Sequence, residues 1–138
     1  MSFVYFTDRD LGKSFPEILR SAGLTVERHA DHFAHDALDE AWLELVGKRG
    51  WIALTHDRRI RYKPNELNAV IQHGVALLVI VGKAPFPDLA RAFVNSRAVL
   101  DHFLDRHKPP FIAKVYRPSP AEIERRSAAP GHIELWYP

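Results

Sequence analysis

With 138 residues, 46% of them hydrophobic and 26% charged, the chain is long enough for one packed core and too apolar for a disordered polymer. The absence of cysteine excludes disulfides and thiolate metal sites and fits a reducing, cytoplasmic setting. A net charge of +2 and a pI of about 9.0 permit a nucleic-acid partner without requiring one. Arg9, Arg58, Arg59, Arg61, Lys63, Arg125 and Arg126 are interspersed with acids, so a basic surface would lie beside an acidic one. Met1 to Phe6 lacks the basic and apolar regions of a secretory leader. The longest apolar run, Val75 to Val81, falls far short of the ~20 residues that span a bilayer, so no membrane association is expected.

Phe3 to Phe6 reads as a short strand. At Ser14-Phe15-Pro16-Glu17 a helix begins, with Ser14 as the expected cap, Pro16 in the first turn and Glu17 reaching back to the cap amide. Ile18, Leu19 and Ala22 supply its apolar face and Gly23 stops it. Leu24 to Glu27 is a second strand, and the polar, histidine-rich His29 to Asp36 a loop. From Asp36 to Lys48, apolar residues at Leu38, Ala41, Trp42, Leu45 and Val46 recur at helical spacing, with Gly47 to Gly50 ending the helix. Trp51 to Thr55 is a third strand and His56 to Lys63 a loop.

Pro64 opens a further helix carrying Leu67, Val70 and Ile71, closed by Gly74. The continuous branched run Val75 to Val81 has the character of a strand buried on both faces. Pro85 to about Arg106 reads as one long helix and Phe111 to Tyr116 as a fifth strand. A short helix near Ala121 to Arg126 and an edge strand at His132 to Trp136 follow. This alternation predicts right-handed crossovers and a three-layer α/β/α sandwich around a mainly parallel sheet of about five strands. No repeat or domain boundary interrupts it, so residues 1–138 form one domain, with a C-terminal extension from about residue 118.

Open α/β sheets bind ligands beyond the carboxyl ends of their strands. Asp8 follows the first strand in Phe6-Thr7-Asp8, and Asp57 the third in Leu54-Thr55-His56-Asp57. Each is a candidate metal ligand. Each also has an ordinary alternative: Asp8 as a turn or cap residue, Asp57 as a surface partner of Arg58 or Arg59. Asp10 is a nearby substitute for Asp8. Asp39 heads the stripe that continues through Leu43 and Val46, an unusual place for an acid unless it supports the helix dipole under an Asp36 cap. Glu40 aligns instead with Glu44 on the wet face. Clustered carboxylates ~4 Å apart would repel by about 4 kcal/mol at an effective dielectric of 20. A bridging magnesium or manganese ion, which prefers oxygen ligands, would offset that repulsion.

Four motifs carry a family resemblance: Phe6-Thr7-Asp8-Arg9-Asp10-Leu11-Gly12, Leu19-Arg20-Ser21-Ala22-Gly23, Asp39-Glu40-Ala41-Trp42-Leu43 and Gly50-Trp51-Ile52-Ala53-Leu54-Thr55-His56-Asp57. Over roughly Phe3 to Val81 the chain resembles the PIN-like domains of VapC-type toxins. The resemblance implies a magnesium- or manganese-dependent endoribonuclease, the toxin of a toxin–antitoxin pair. Its catalytic and metal-holding residues would be Asp8, Asp39 and Asp57, with Asp10 and Glu40 as lesser candidates for the metal. The family's fourth acid has no clear counterpart, since Arg58 and Arg59 occupy its place. Metal-assisted phosphodiester hydrolysis would follow, with Arg9, Arg58 or Arg59 holding the phosphate, unless these arginines pair with the same aspartates.

The tract His29-Ala30-Asp31-His32-Phe33-Ala34-His35-Asp36 looks like a metal tract but reads better as structural. His56 is expected to be a solvated loop residue rather than a proton carrier. Trp42 and Trp51 fit the core. The apolar Ile133 to Tyr137 packs on the domain or serves self-association as a homodimer or antitoxin binding. Two alternatives compete with the nuclease. A receiver-type phosphoacceptor would use Asp57 over Asp8 and Asp10 but needs a lysine just beyond the last strand. A non-catalytic PIN-like module would bind RNA or a partner without needing metal.

Overall fold

The apolar runs pair into a single sheet made of β1 (Val4–Thr7), β2 (Thr25–Arg28), β3 (Ile52–Thr55), β4 (Ala76–Val81), β5 (Phe111–Tyr116) and β6 (His132–Tyr137). The computed structural model describes residues 3–138, so Met1 and Ser2, where the leader reading begins, lie outside it. The strand order is β2-β1-β3-β4-β5-β6, with the first five parallel and β6 antiparallel on the edge. The expected α/β/α sandwich is present, and its sixth strand is the edge strand expected at His132 to Trp136.

Alternate residues of each strand serve opposite faces. Tyr5, Leu54, Leu78, Ile80 and Ala113 meet α1 (Ser14–Ser21), α4 (Phe86–Asn95) and α5 (Arg97–Arg106) in one core layer. Phe6, Ala53, Leu77, Val79 and Ile112 meet α2 (Asp39–Arg49) and α3 (Pro64–His73) in the other. Trp42 is fully buried there and stacks on Phe6 at 5.6 Å, whereas Trp51 packs at the margin. A sixth helix, α6 (Pro120–Arg125), carries a capping box between Ser119 and Glu122.

Three helix boundaries differ from expectation. Ser14 lies inside α1 behind Lys13 and makes no cap; a 3-10 turn at Arg9–Leu11 and Gly12, at φ +73°, deliver the chain instead. Helix α2 starts at Asp39 behind Leu38, so Asp36 caps nothing, and it runs through Gly47 to the left-handed Gly50. The long helix from Pro85 is two helices broken at Ser96, which is buried. Ser96 Oγ donates to the Ala92 carbonyl and accepts from the Gly131 amide, tying the break to the segment leading into β6.

The position of β1 fixes where function can sit. The chain goes from β1 outward to β2, then returns over β1 to β3 and onward to β4 and β5. The crossover direction therefore reverses between β1 and β3, and a crevice opens beyond their carboxyl ends. Thr7-Asp8 and Thr55-His56-Asp57 occupy that edge.

Candidate functional site

At the β1/β3 edge the Asp8 amide bonds the Leu54 carbonyl at 3.0 Å, which holds the loop after β1 against β3. Asp8 Oδ1 accepts from the Arg9 amide at 2.7 Å. Asp8 Oδ2 lies 3.0 Å from Thr55 Oγ1, and Asp10 Oδ2 lies 2.9 Å from the same hydroxyl. The His56 amide donates to both oxygens of Asp10, at 3.1 and 3.0 Å. Thr55 is fully buried and its Oγ1 also accepts from the Asp57 amide at 3.2 Å.

These contacts set the electrostatics. Burial, then the neighbouring Asp10, push the Asp8 carboxyl up to about 7; Thr55 and the Arg9 amide pull against this, and Asp39 adds to it. Asp10 retains solvent access as a residue, yet burial of its carboxyl raises its pKa too, opposed by its bonds to Thr55 and His56 and aided by Asp57. The ionised forms of both acids are thus disfavoured, chiefly because burial strips water from them.

Asp39, the first residue of α2, accepts from the Trp42 indole Nε1 at 2.9 Å. Its charge reaches both Asp8 and Lys63. Asp57 accepts from the Arg59 amide at 2.9 Å and from Lys63 Nζ at 2.6 Å. Asp57 holds the Lys63 ammonium above its usual pKa range, chiefly through that hydrogen bond. So Asp8, Asp10, Asp39 and Asp57 share one electrostatic neighbourhood, with Asp8 and Asp10 in closest association and Asp57 already supplied with a cation. Glu40 sits beside Asp39 in the first turn of α2.

The arginines divide. Arg9 donates from Nε to His29 Nδ1 at 2.9 Å and from Nη2 to the Phe33 carbonyl at 2.7 Å, so its side chain braces the 29–33 segment and pairs with no aspartate. Arg58 and Arg59 are exposed on the rim of an open cleft of about 670 Å³ that begins at Asp57. In the histidine tract, His29 is buried and His32 pairs with Glu27 at 2.8 Å, which makes both structural. His56 departs from the expected solvated loop residue. Its Nδ1 bonds the Ile80 carbonyl at 2.8 Å, so Nδ1 carries hydrogen, and its ring meets Phe86 edge-on.

No group of three or more His, Asp or Glu among the described residues is already gathered as a metal shell. The donor set at Asp8 and Asp10 nevertheless fits a hard cation: all oxygen, converging on one hydroxyl, with charge uncompensated. Magnesium characteristically uses one or two carboxylates and keeps several waters. Asp10 and Thr55 are what sequence reasoning underweighted; the signal was a threonine shortly before each of Asp8 and Asp57.

Lys114 lies within β5 and Arg117 follows it, so the lysine a phosphoacceptor requires just beyond that strand is not there. No helix among the described residues is long and apolar enough to cross a membrane. Residues 3–82 match the model of a family described as PIN like domain, a span that includes every acid of this cluster. Neither the curated proteins nor the solved structures contain a match.

Proposed function

The chain belongs to the PIN-like domain family, and on that premise we propose that it is a metal-dependent endoribonuclease, acting in the cytoplasm as the toxin of a toxin–antitoxin pair. The observation that carries this reading is the convergence of Asp8 and Asp10 on Thr55 at the β1/β3 crevice. Asp39 and Asp57 stand within electrostatic reach of that pair.

In this reading Asp8 and Asp10 would hold a magnesium or manganese ion, and Asp39, kept in place by Trp42, would add its negative charge to the site. The bound ion supplies an activated water and neutralises charge on the scissile phosphate. Thr55 orients the two carboxyls, and the His56 amide fixes Asp10 against rotation. Arg58 and Arg59 draw the RNA backbone to the rim, where a guanidinium fork matches phosphate oxygens. Lys63 neutralises Asp57 and leaves it as a positioning group unless substrate draws the ammonium away.

Purified protein should cut an RNA pool with magnesium or manganese, stop in chelator, and lose cleavage on Asp8→Asn with its fold intact. Failure to cut with either ion removes the nuclease reading. The Lys63–Asp57 pair favours one second reading, a PIN-like module that binds RNA or a partner without cutting. Metal titration separates the two, since that module needs no ion. An antitoxin protein and a homodimer are the partners proposed with the toxin reading. Co-purification with the product of an adjacent reading frame and the sedimentation mass test them.

A further inference from the structure

Of the crevice acids, Asp57 alone lines the cleft beyond it. Its walls are the 56–63 segment on one side and Lys114 with Trp136, from β5 and β6, on the other. Arg58, Arg59, Lys63 and Lys114 all reach it, against Asp57 as the acid on its lining. Tyr62 stands at its edge and is 67% exposed.

Single exposed aromatic residues are commonplace on protein surfaces. This one is unusually well fixed. Tyr62 closes a 3-10 turn, Ile60–Tyr62, whose first residue is buried, and its amide bonds the Arg59 carbonyl at 2.8 Å. Its ring meets Trp136 edge-on at 5.7 Å. The Arg61 guanidinium lies 5.6 Å from the Tyr62 ring, 5.5 Å from Trp136 and 5.8 Å from Tyr137. Lys114 Nζ covers Trp136 at 4.2 Å. Arg61 thus lies against both rings and Lys114 covers Trp136 as well, but Tyr62, 67% exposed, still turns most of its ring to solvent above a basic groove.

We propose that Tyr62 is a stacking platform for an unpaired base of single-stranded RNA, whose backbone runs along Arg58, Arg59 and Lys114 toward the acidic crevice. Aromatic faces take any base, and flanking cations take the phosphates, which is how single strands are gripped without sequence readout. A paired A-form helix keeps its bases stacked on one another and has none to offer. The inference rests on the ribonuclease reading for its direction of approach but not for the binding itself.

The test uses the full chain carrying Asp8→Asn, so that binding is read without cleavage, and a fluorescent oligoribonucleotide offered single-stranded or annealed to its complement. The single strand is expected to bind more tightly than the duplex. Tyr62→Ala should weaken single-strand binding about tenfold or more, Tyr62→Phe should restore it, and the salt dependence should stay unchanged. Arg58→Ala or Arg59→Ala should instead lower the salt slope by about one unit. Equal binding by Tyr62→Ala and the parent, or equal affinity for duplex, overturns the platform even if the parent enzyme cleaves RNA. Platform behaviour in a chain that never cleaves would sink the nuclease reading alone. A Tyr62→Ala effect seen only in sedimentation mass, with RNA binding intact, would overturn the proposal in favour of a protein interface.

Discussion

Asp8 and Asp10 meet on one hydroxyl, Thr55 Oγ1, at 3.0 and 2.9 Å. A hydroxyl has a single proton to donate. Two ionised carboxylates cannot both be satisfied by it, so either one keeps its own proton or a cation intervenes.

The consequence is a pH dependence of stability with a definite sign. Asp8 titrates at about 7 in the fold against 3.8 for the unperturbed group, so between those values the folded chain binds the extra proton. Stability from this group therefore falls as pH rises from 3.8 through about 7 and is level above. Asp31 and Glu122, whose pKa values are lowered, slope the other way, so the comparison must be made between variants. Urea melts of the parent and Asp8→Asn across this range are expected to show the variant gaining on the parent as pH rises. Magnesium or manganese competes with that proton. Either ion should raise the parent's unfolding midpoint more at about pH 8 than at about pH 5, and leave Asp8→Asn nearly unmoved.

The Lys63–Asp57 pair makes a different demand. Its side chains are 41% and 23% exposed, so breaking it should cost only about 1 kcal/mol or less. Lys63→Met is therefore expected to melt within a few degrees of the parent. It should also bind manganese several-fold more tightly by calorimetry, because Asp57 no longer holds its own cation. Unchanged manganese affinity would mean that Asp57 does not contribute to the ion's field.

The strand ends were legible because apolar runs stop where the chain reaches the sheet edge, and Asp8 and Asp57 follow from that. The partnership of Asp10 with Thr55 and His56 was not, since those bonds span 45 and 46 residues and depend on β1 lying beside β3. Likewise the break at Ser96 has no glycine or proline to mark it. It is stabilised by the Gly131 amide, 35 residues on. Arg9, a phosphate or aspartate partner on sequence grounds, instead turns its side chain to His29 and Phe33. Local pattern reports elements, and pairing across the sheet decides which side chains face each other.

That distinction among the arginines is measurable. Arg9→Ala removes the bond to His29, whose pKa burial and Arg9 both hold down, and should loosen the 29–33 segment. The expected result is a loss of about 1–3 kcal/mol with little change in KM for RNA. Arg59→Ala, fully at the rim, should raise KM several-fold at unchanged melting temperature. Steady-state kinetics with thermal melts on both variants checks the division, and a KM effect from Arg9 equal to that from Arg59 would return Arg9 to the phosphate site.

Gly47 tests the packing that holds the Asp39 helix. It sits inside α2, where a glycine ordinarily weakens a helix relative to alanine. A Cβ there would collide with the His73 carbonyl at the end of α3. The two helices approach closely there because no side chain separates them, and the other end of the same helix carries Asp39 and Trp42 over Phe6. Gly47→Ala should therefore destabilise by about 1–3 kcal/mol despite its gain in helix propensity. Gly50→Ala is the control: it meets nothing within 4 Å, and only its left-handed φ of +67° opposes the change. Denaturant midpoints separate steric from backbone cost. If Gly47→Ala proved neutral or stabilising, α2 would be free to shift away from α3 and the placement of Asp39 would not depend on that contact.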